Sequence, residues 1–143
     1  MRKGLIIGAA GFVGGYLAKA LKENQGMEVH VTKLPTEELQ GVGDKVYNLN
    51  ILKKEDIISL LFEVRPDYIF HLAAQSSVGI AWKNPALTID INIKGSVNVM
   101  DAVRENKMEP DVILACGPTP MLRAVKAYAE ERNITCYISL EEK

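Results

Sequence analysis

An α/β fold built on a doubly wound parallel sheet is what the sequence predicts, and three observations predict it. Short apolar runs alternate with stretches of helical periodicity along the whole chain. A glycine-rich turn, Gly8-Ala9-Ala10-Gly11-Phe12-Val13-Gly14, joins the first apolar run to the first helical stretch. No repeat and no low-complexity linker interrupts the alternation, and 143 residues suffice for one domain with a sizeable core.

Each element has its own signal. Leu5-Ile6-Ile7 is the first strand, and Val13, Leu17 and Leu21 mark the helix that follows the turn. Glu28 to Lys33 reads as the second strand. Leu34 to Asp44, with Pro35, Gly41 and Gly43, is an irregular connection, and Lys45 to Leu49 is a short third strand. From about Lys54 to Val64 a helix carries Ile57, Leu61 and Val64 on one stripe, widened by Ile58. Pro66 ends it at Arg65, because proline disfavours helix in the residue before it. Tyr68 to Leu72 is a fourth strand, apolar enough to be buried on both faces.

Ala73 to Lys83 is a polar loop. Asn84-Pro85 then caps and opens a helix running to about Glu105. Leu87, Ile91, Val99 and Ala102 suit one face of it. Ile89, Ile93, Val97 and Met100 form a second apolar strip, which either meets a second copy in a homodimer through helix 85–105 or lies under neighbouring loops. Asp111 to Cys116 is the fifth strand. Thr119-Pro120 starts a helix to about Arg132 with Met121, Val125 and Tyr128 or Ala129 inward, and Thr135 to Leu140 is the sixth strand. Right-handed crossovers then imply a three-layer, Rossmann-like sheet in the order 3-2-1-4-5-6 across residues 1–143. Its ligand crevice should lie beyond the carboxyl ends of strands one and four.

Composition narrows the function. A net charge of −1 supplies no field for nucleic acid or an anionic membrane. Two cysteines, Cys116 and Cys136, are too few for a disulfide framework or a four-thiolate metal site, and they suit a reduced, cytoplasmic setting. The apolar run after Met1-Arg2-Lys3 breaks at Gly8, too soon for a signal peptide, and no stretch is long enough to span a bilayer. His30 and His71 stand alone in strands, without the cysteine or carboxylate spacing of a metal site.

The glycine turn carries the chemistry. Strand, glycine loop and helix N-terminus together form a cradle for a dinucleotide pyrophosphate. Gly8 turns the chain out of the strand, and Gly11 has no Cβ to keep the backbone from the phosphates. Gly14 lets the helix pack closely on the sheet. At the end of the second strand a carboxylate would bind the ribose 2′-hydroxyl of NAD. Val31-Thr32-Lys33 has none; Thr32 and Lys33 are the candidate cofactor contacts there, and Lys33 tips the expectation to NADP over NAD, or is simply solvated.

From Lys3 to about Asn106 the chain resembles the extended short-chain dehydrogenases/reductases, in particular the NAD-dependent epimerases and dehydratases of nucleotide sugars. The resemblance rests on Gly8-x-x-Gly11-x-x-Gly14, Val64-Arg65-Pro66-Asp67, His71-Leu72-Ala73-Ala74-Gln75-Ser76-Ser77 and Asn92-Ile93-Lys94-Gly95-Ser96. It implies that Phe12 and Val13 offer backbone N–H groups to the pyrophosphate. Asn50 and Ile51 would stand beside the adenine, where the family usually has Asp-Leu. Leu72, Ala73, Ala74 and Gln75 would line the cofactor near the nicotinamide ribose. Trp82 would lean over the cofactor or anchor its loop to the long helix.

From about Pro110 the resemblance changes. Asp111-Val112-Ile113-Leu114-Ala115-Cys116-Gly117-Pro118-Thr119-Pro120-Met121-Leu122 is similar to the NAD domain of the ferredoxin-reductase superfamily, as in the electron-transfer subunit of dihydroorotate dehydrogenase. The meeting of two families within Glu105 to Pro110 leads to the expectation of an engineered chimera: residues 1–106 of one type, completed by a βαβ piece over 107–143. A divergent natural protein is the alternative.

No tyrosine has the lysine four residues on that the short-chain relay uses. Tyr16 is followed there by Ala20, Tyr47 by Ile51, Tyr68 by Leu72, Tyr128 by Arg132 and Tyr137 by Glu141. Cys116 and Thr119 are the remaining reactive groups near the crevice, and a strand-end cysteine without a basic neighbour is ordinarily a small buried residue. The expectation is therefore a non-catalytic dinucleotide-binding module. A pure folding scaffold and a residual oxidoreductase fragment are the alternatives.

Overall fold

In the computed structural model the described residues are 1–9, 12–39, 41–72, 93–117 and 119–140. The chain divides into two compact units, Met1–Asn106 and Lys107–Lys143.

The first unit is a four-stranded parallel sheet in the order β3-β2-β1-β4, with β1 Lys3–Ile7, β2 Glu28–Lys33, β3 Lys45–Asn48 and β4 Tyr68–His71. Helix α1 (Phe12–Gln25) returns the chain from β1 to β2, and α2 (Lys54–Val64) from β3 to β4. β1 is buried on both faces, as a central parallel strand should be. Ile6 joins Ala18 and Leu21 of α1, Met27, and Val29 and Val31 of β2 in one apolar cluster. Strand alternation turns Leu5 and Ile7 to the other face, and both are fully buried too. On α2 the buried set is Ile57, Leu60, Leu61 and Val64. Leu60 thus takes a place in the stripe, while Ile58 is half-buried. α2 ends at Arg65, whose left-handed φ of 50° lets its N–H reach the Leu61 carbonyl ahead of Pro66.

β4 departs from expectation. Tyr68 is exposed, and Ile69, Phe70 and His71 are only half-buried. Among the described residues β4 pairs with β1 alone, and a strand at the end of a ladder is covered less than a central one. α3 (Gly95–Glu105) packs on α2 and buries Val99, Ala102 and Val103. Of the second apolar strip, Ile93 and Val97 are exposed and Met100 is half-buried; Leu87, Ile89 and Ile91 lie outside the described residues.

The second unit is a parallel pair, β5 (Val112–Gly117) and β6 (Thr135–Leu140), joined by α4 (Thr119–Glu131). The expected strand order thus holds within each sheet, 3-2-1-4 and 5-6, while the ladders form two sheets where one was expected. On α4, Leu122, Val125 and Ala129 are buried, and Met121 and Tyr128 are half-buried. The inward stripe therefore falls on 122-125-129, one helical face at three- and four-residue spacing.

Candidate functional site

β1 stands between β2 and β4: the chain adds β2 and β3 on one side of it and then crosses back through α2 to β4 on the other, which makes the carboxyl end of β1 the switch point of the sheet. Ile7 and His71 are register partners there, and Leu72 N–H donates to the Ile7 carbonyl at 2.8 Å. Gly8 follows immediately with a φ of 87°, a conformation an L side chain rarely adopts. Its N–H donates to Thr32 Oγ1 at 3.0 Å, and Ala9 N–H donates to the Thr32 carbonyl at 2.8 Å. The turn is thus tied to the end of β2 by two consecutive bonds. Helix α1 closes on it from the other side: a Cβ on Gly14 would lie 2.6 Å from Ala9 Cα and against the Ala9 carbonyl. Val13 on the first turn of α1 is exposed. Gly11, Ala73, Ala74, Gln75 and Trp82 lie outside the described residues, as does the Phe12 side chain.

The structure spreads the other candidates along the carboxyl ends of β2 and β3. Lys33 Nζ donates to Asn48 Oδ1 at 2.9 Å and to the Leu34 carbonyl at 3.3 Å, so its ammonium is held at the end of β2. Asn50 Oδ1 accepts the Leu52 N–H at 3.0 Å, which uses the carbonyl of that amide in a local turn. Ile51 is buried, with its carbonyl bonded by Asn98 Nδ2 at 2.9 Å. Its side chain packs where α3 passes closest, since a Cβ on Gly95 would come within 2.9 Å of Ile51 Cγ1. Ile51 therefore serves the core with its side chain, and Leu72 stands at the site's edge beside Gly8.

Two histidine arrangements were not legible as pairs in the sequence. His71 Nε2 shares a hydrogen bond of 3.1 Å with Ser96 Oγ on α3, and Nδ1 is buried with no hydrogen-bond partner. Burial holds its pKa down at about 4, so the imidazole is neutral near pH 7. His30 joins Glu28 and Tyr47 in a chain, with Nε2 to Glu28 Oε2 and Nδ1 to Tyr47 Oη both at 2.8 Å. The His30 bond holds the Glu28 carboxyl below its usual range, while burial raises the Tyr47 phenol. Period-two spacing of Glu28 and His30 put them on one face of β2; the register that brings Tyr47 beside them had no local signal. This chain starts at the amino end of β2, and it ties the edge strand β3 to its neighbour.

Thr119 opens α4 and is exposed, and nothing of the Cys116 side chain falls among the described residues. The Arg132 guanidinium stacks on the Tyr128 ring at 3.9 Å and donates to the Tyr128 carbonyl at 3.2 Å, which uses that pair locally. Among the described residues no group of acidic, histidine or cysteine side chains could hold a metal ion, and no helix is long and apolar enough to cross a membrane.

Residues 4–134 match the model of the NAD dependent epimerase/dehydratase family. Similar curated proteins include GDP-mannose 4,6-dehydratase of Yersinia enterocolitica, 31% identical over 76% of this chain and 33% of that protein. UDP-glucose 4-epimerase of Mycoplasma genitalium is 28% identical over 90% of this chain and 40% of that protein. Among solved structures, UDP-glucose 4-epimerase of Thermotoga maritima superposes with a TM-score of 0.83 at 21% identity, covering 96% of this chain and 54% of that one. UDP-glucose 4-epimerase of Thermus thermophilus, solved in complex with NAD, gives 0.81 at 21% identity, over 96% of this chain and 54% of that one. The chain spans between a third and a half of the length of the first curated relatives it matches. It belongs to the NAD dependent epimerase/dehydratase family.

Proposed function

We propose that the chain is a dinucleotide-binding domain that holds NADP or NAD at the carboxyl end of its four-stranded sheet and carries no proton relay of its own. The observation that carries this reading is the turn at Gly8, bonded through Gly8 and Ala9 to Thr32 and closed by the approach of α1 at Gly14. A pyrophosphate placed against it meets backbone N–H groups and the positive end of the α1 dipole. The strand ends run in the order β3, β2, β1, β4, about 14 Å across at the usual spacing between strands, which is a span suited to an extended dinucleotide. Family membership, and relatives solved with NAD, support the same ligand class.

NADP is the favoured form. Lys33, held by Asn48 at the end of β2, supplies positive charge where a 2′-phosphate would sit, and no carboxylate stands at positions 31–33. A bound nicotinamide would supply hydride-transfer chemistry. The chain's own residues bind and orient it, and none of its five tyrosines has the lysine four residues on that a short-chain relay uses. Exposure of Ile93 and Val97 supports the homodimer through helix 85–105, which sedimentation over a range of concentrations would test. The chimera is supported by the division into units between Asn106 and Lys107, inside the 105–110 window where the two resemblances meet. The family match running on to residue 134 speaks for the divergent natural chain instead.

Titration with NADPH and NADH, read by Trp82 fluorescence and by melting temperature, tests the reading. Dissociation constants below about 1 mM, with NADPH the tighter, are expected. Weaker binding of both leaves only a scaffold. Oxidation of the cofactor above background with a nucleotide sugar would overturn the non-catalytic assignment.

A further inference from the structure

We propose that Thr32 is a positioning residue for the phosphate loop, acting through Gly8 and not by touching the dinucleotide. Thr32 is 1% exposed near the end of β2, in a strand whose residues 29–32 are all buried, and alternation puts it on the face of His30, opposite the Val29 and Val31 cluster. A valine would fill the same β-branched space. The hydroxyl is therefore the feature to explain, and its partner is the Gly8 N–H, 24 residues away in sequence. The paired register of β1 and β2 ends at Ile6 and Val31, so the Thr32 hydroxyl and carbonyl continue the tie past the last register pair. Between them they take the amides of Gly8 and Ala9, the residues that open the turn.

Gly8 stands at a φ of 87°, and without a fixed partner its N–H has no reason to prefer that geometry. A loop that recognises phosphate by backbone amides binds best when those amides are already set, since ordering them on binding subtracts from affinity. Thr32 supplies that order from beneath the loop. Its burial also means that position 32 offers no group to the adenosine ribose, which leaves cofactor choice at the strand end to Lys33.

The inference rests on the dinucleotide reading and deepens it, and two variants with two readouts separate them. Thr32→Val removes the hydroxyl and keeps the shape; Thr32→Ser keeps the hydroxyl and removes a buried methyl. NADPH affinity is expected to fall about tenfold in Thr32→Val and to stay within about twofold in Thr32→Ser, although both lower the melting temperature. Equal affinity in Thr32→Val and the unaltered protein, or an equal loss in both variants, overturns the proposal. Amide hydrogen exchange without ligand gives the second readout. Thr32→Val should speed exchange at Gly8 about tenfold while Leu5 and Ile6 keep their rates. Unchanged Gly8 exchange overturns the role of Thr32 whether or not NADPH binds. Failure of the unaltered protein to bind NADPH or NADH overturns the dinucleotide reading alone.

Discussion

Leu5 in β1 and Leu114 in β5 are the same side chain, each in an apolar parallel strand followed by a turn and a helix, yet Leu5 is fully buried and Leu114 is 75% exposed. β1 has a strand on each side and is buried on both faces. β5 pairs with β6, and α4 supplies Leu122, Val125 and Ala129 as the buried positions of that unit. Alternation then divides the pair. Ile113 and Ala115 are half-buried, whereas Val112, Leu114 and Tyr137 form an exposed apolar row. An apolar strand records that it expects cover on both faces; it does not record whether the cover is present.

The comparison can be broken by making one change in both places. Leu5→Ala should cost about 2–5 kcal/mol by loss of transfer energy and creation of a cavity, measured by urea unfolding. Leu114→Ala should change stability by less than about 0.5 kcal/mol. Similar losses at the two positions would mean that the exposed row is covered in solution.

Acid should also tell the first unit's buried groups from exposed ones. The folded His71 pKa of about 4 lies below its ordinary 6.5, so the unfolded chain takes up the proton first. The stability this neutral imidazole permits is complete above pH 6.5 and falls as pH drops toward 4, by about 3 kcal/mol at the shift given. The depressed carboxyls of Glu28 and Asp44 act in the same direction but lower, as pH falls below their ordinary values of 4.5 and 3.8. His71→Gln should flatten the unfolding profile between pH 6.5 and 4 and leave the steeper acid limb in place. An unchanged slope in that window would contradict the burial of the His71 ring at Nδ1.

Gly14→Ala sharpens the comparison at the loop itself. Its Cβ would press on the Ala9 backbone, so a loss of about 1–3 kcal/mol with weakened cofactor binding is expected. Amide exchange gives the mildest perturbation of all: β5 and β6 should exchange at least about tenfold faster than β1 and β2 in the same sample.

Much of the first unit was readable because its signals are local. The glycine spacing placed the turn, Pro66 stopped α2, and the stripe at Ile57, Leu61 and Val64 faced the core. What remained hidden depends on register and on neighbours. Thr32 reads as a cofactor contact in one dimension, and only the pairing of β1 with β2 shows its hydroxyl beneath Gly8. Ile51 reads as an adenine neighbour, yet the close pass of α3 at Gly95 buries its side chain. The half-burial of β4 and the exposure of Leu114 depend on what neighbours each strand edge and face, and no periodicity encodes that.

The most direct test of the phosphate cradle is the amide spectrum of the labelled protein as NADPH is added. Shifts concentrated at Gly8, Ala9, Val13, Gly14 and Lys33, saturating together at one dissociation constant below about 1 mM, are the result this account predicts. A spectrum in which those amides stay still through several millimolar NADPH would contradict it.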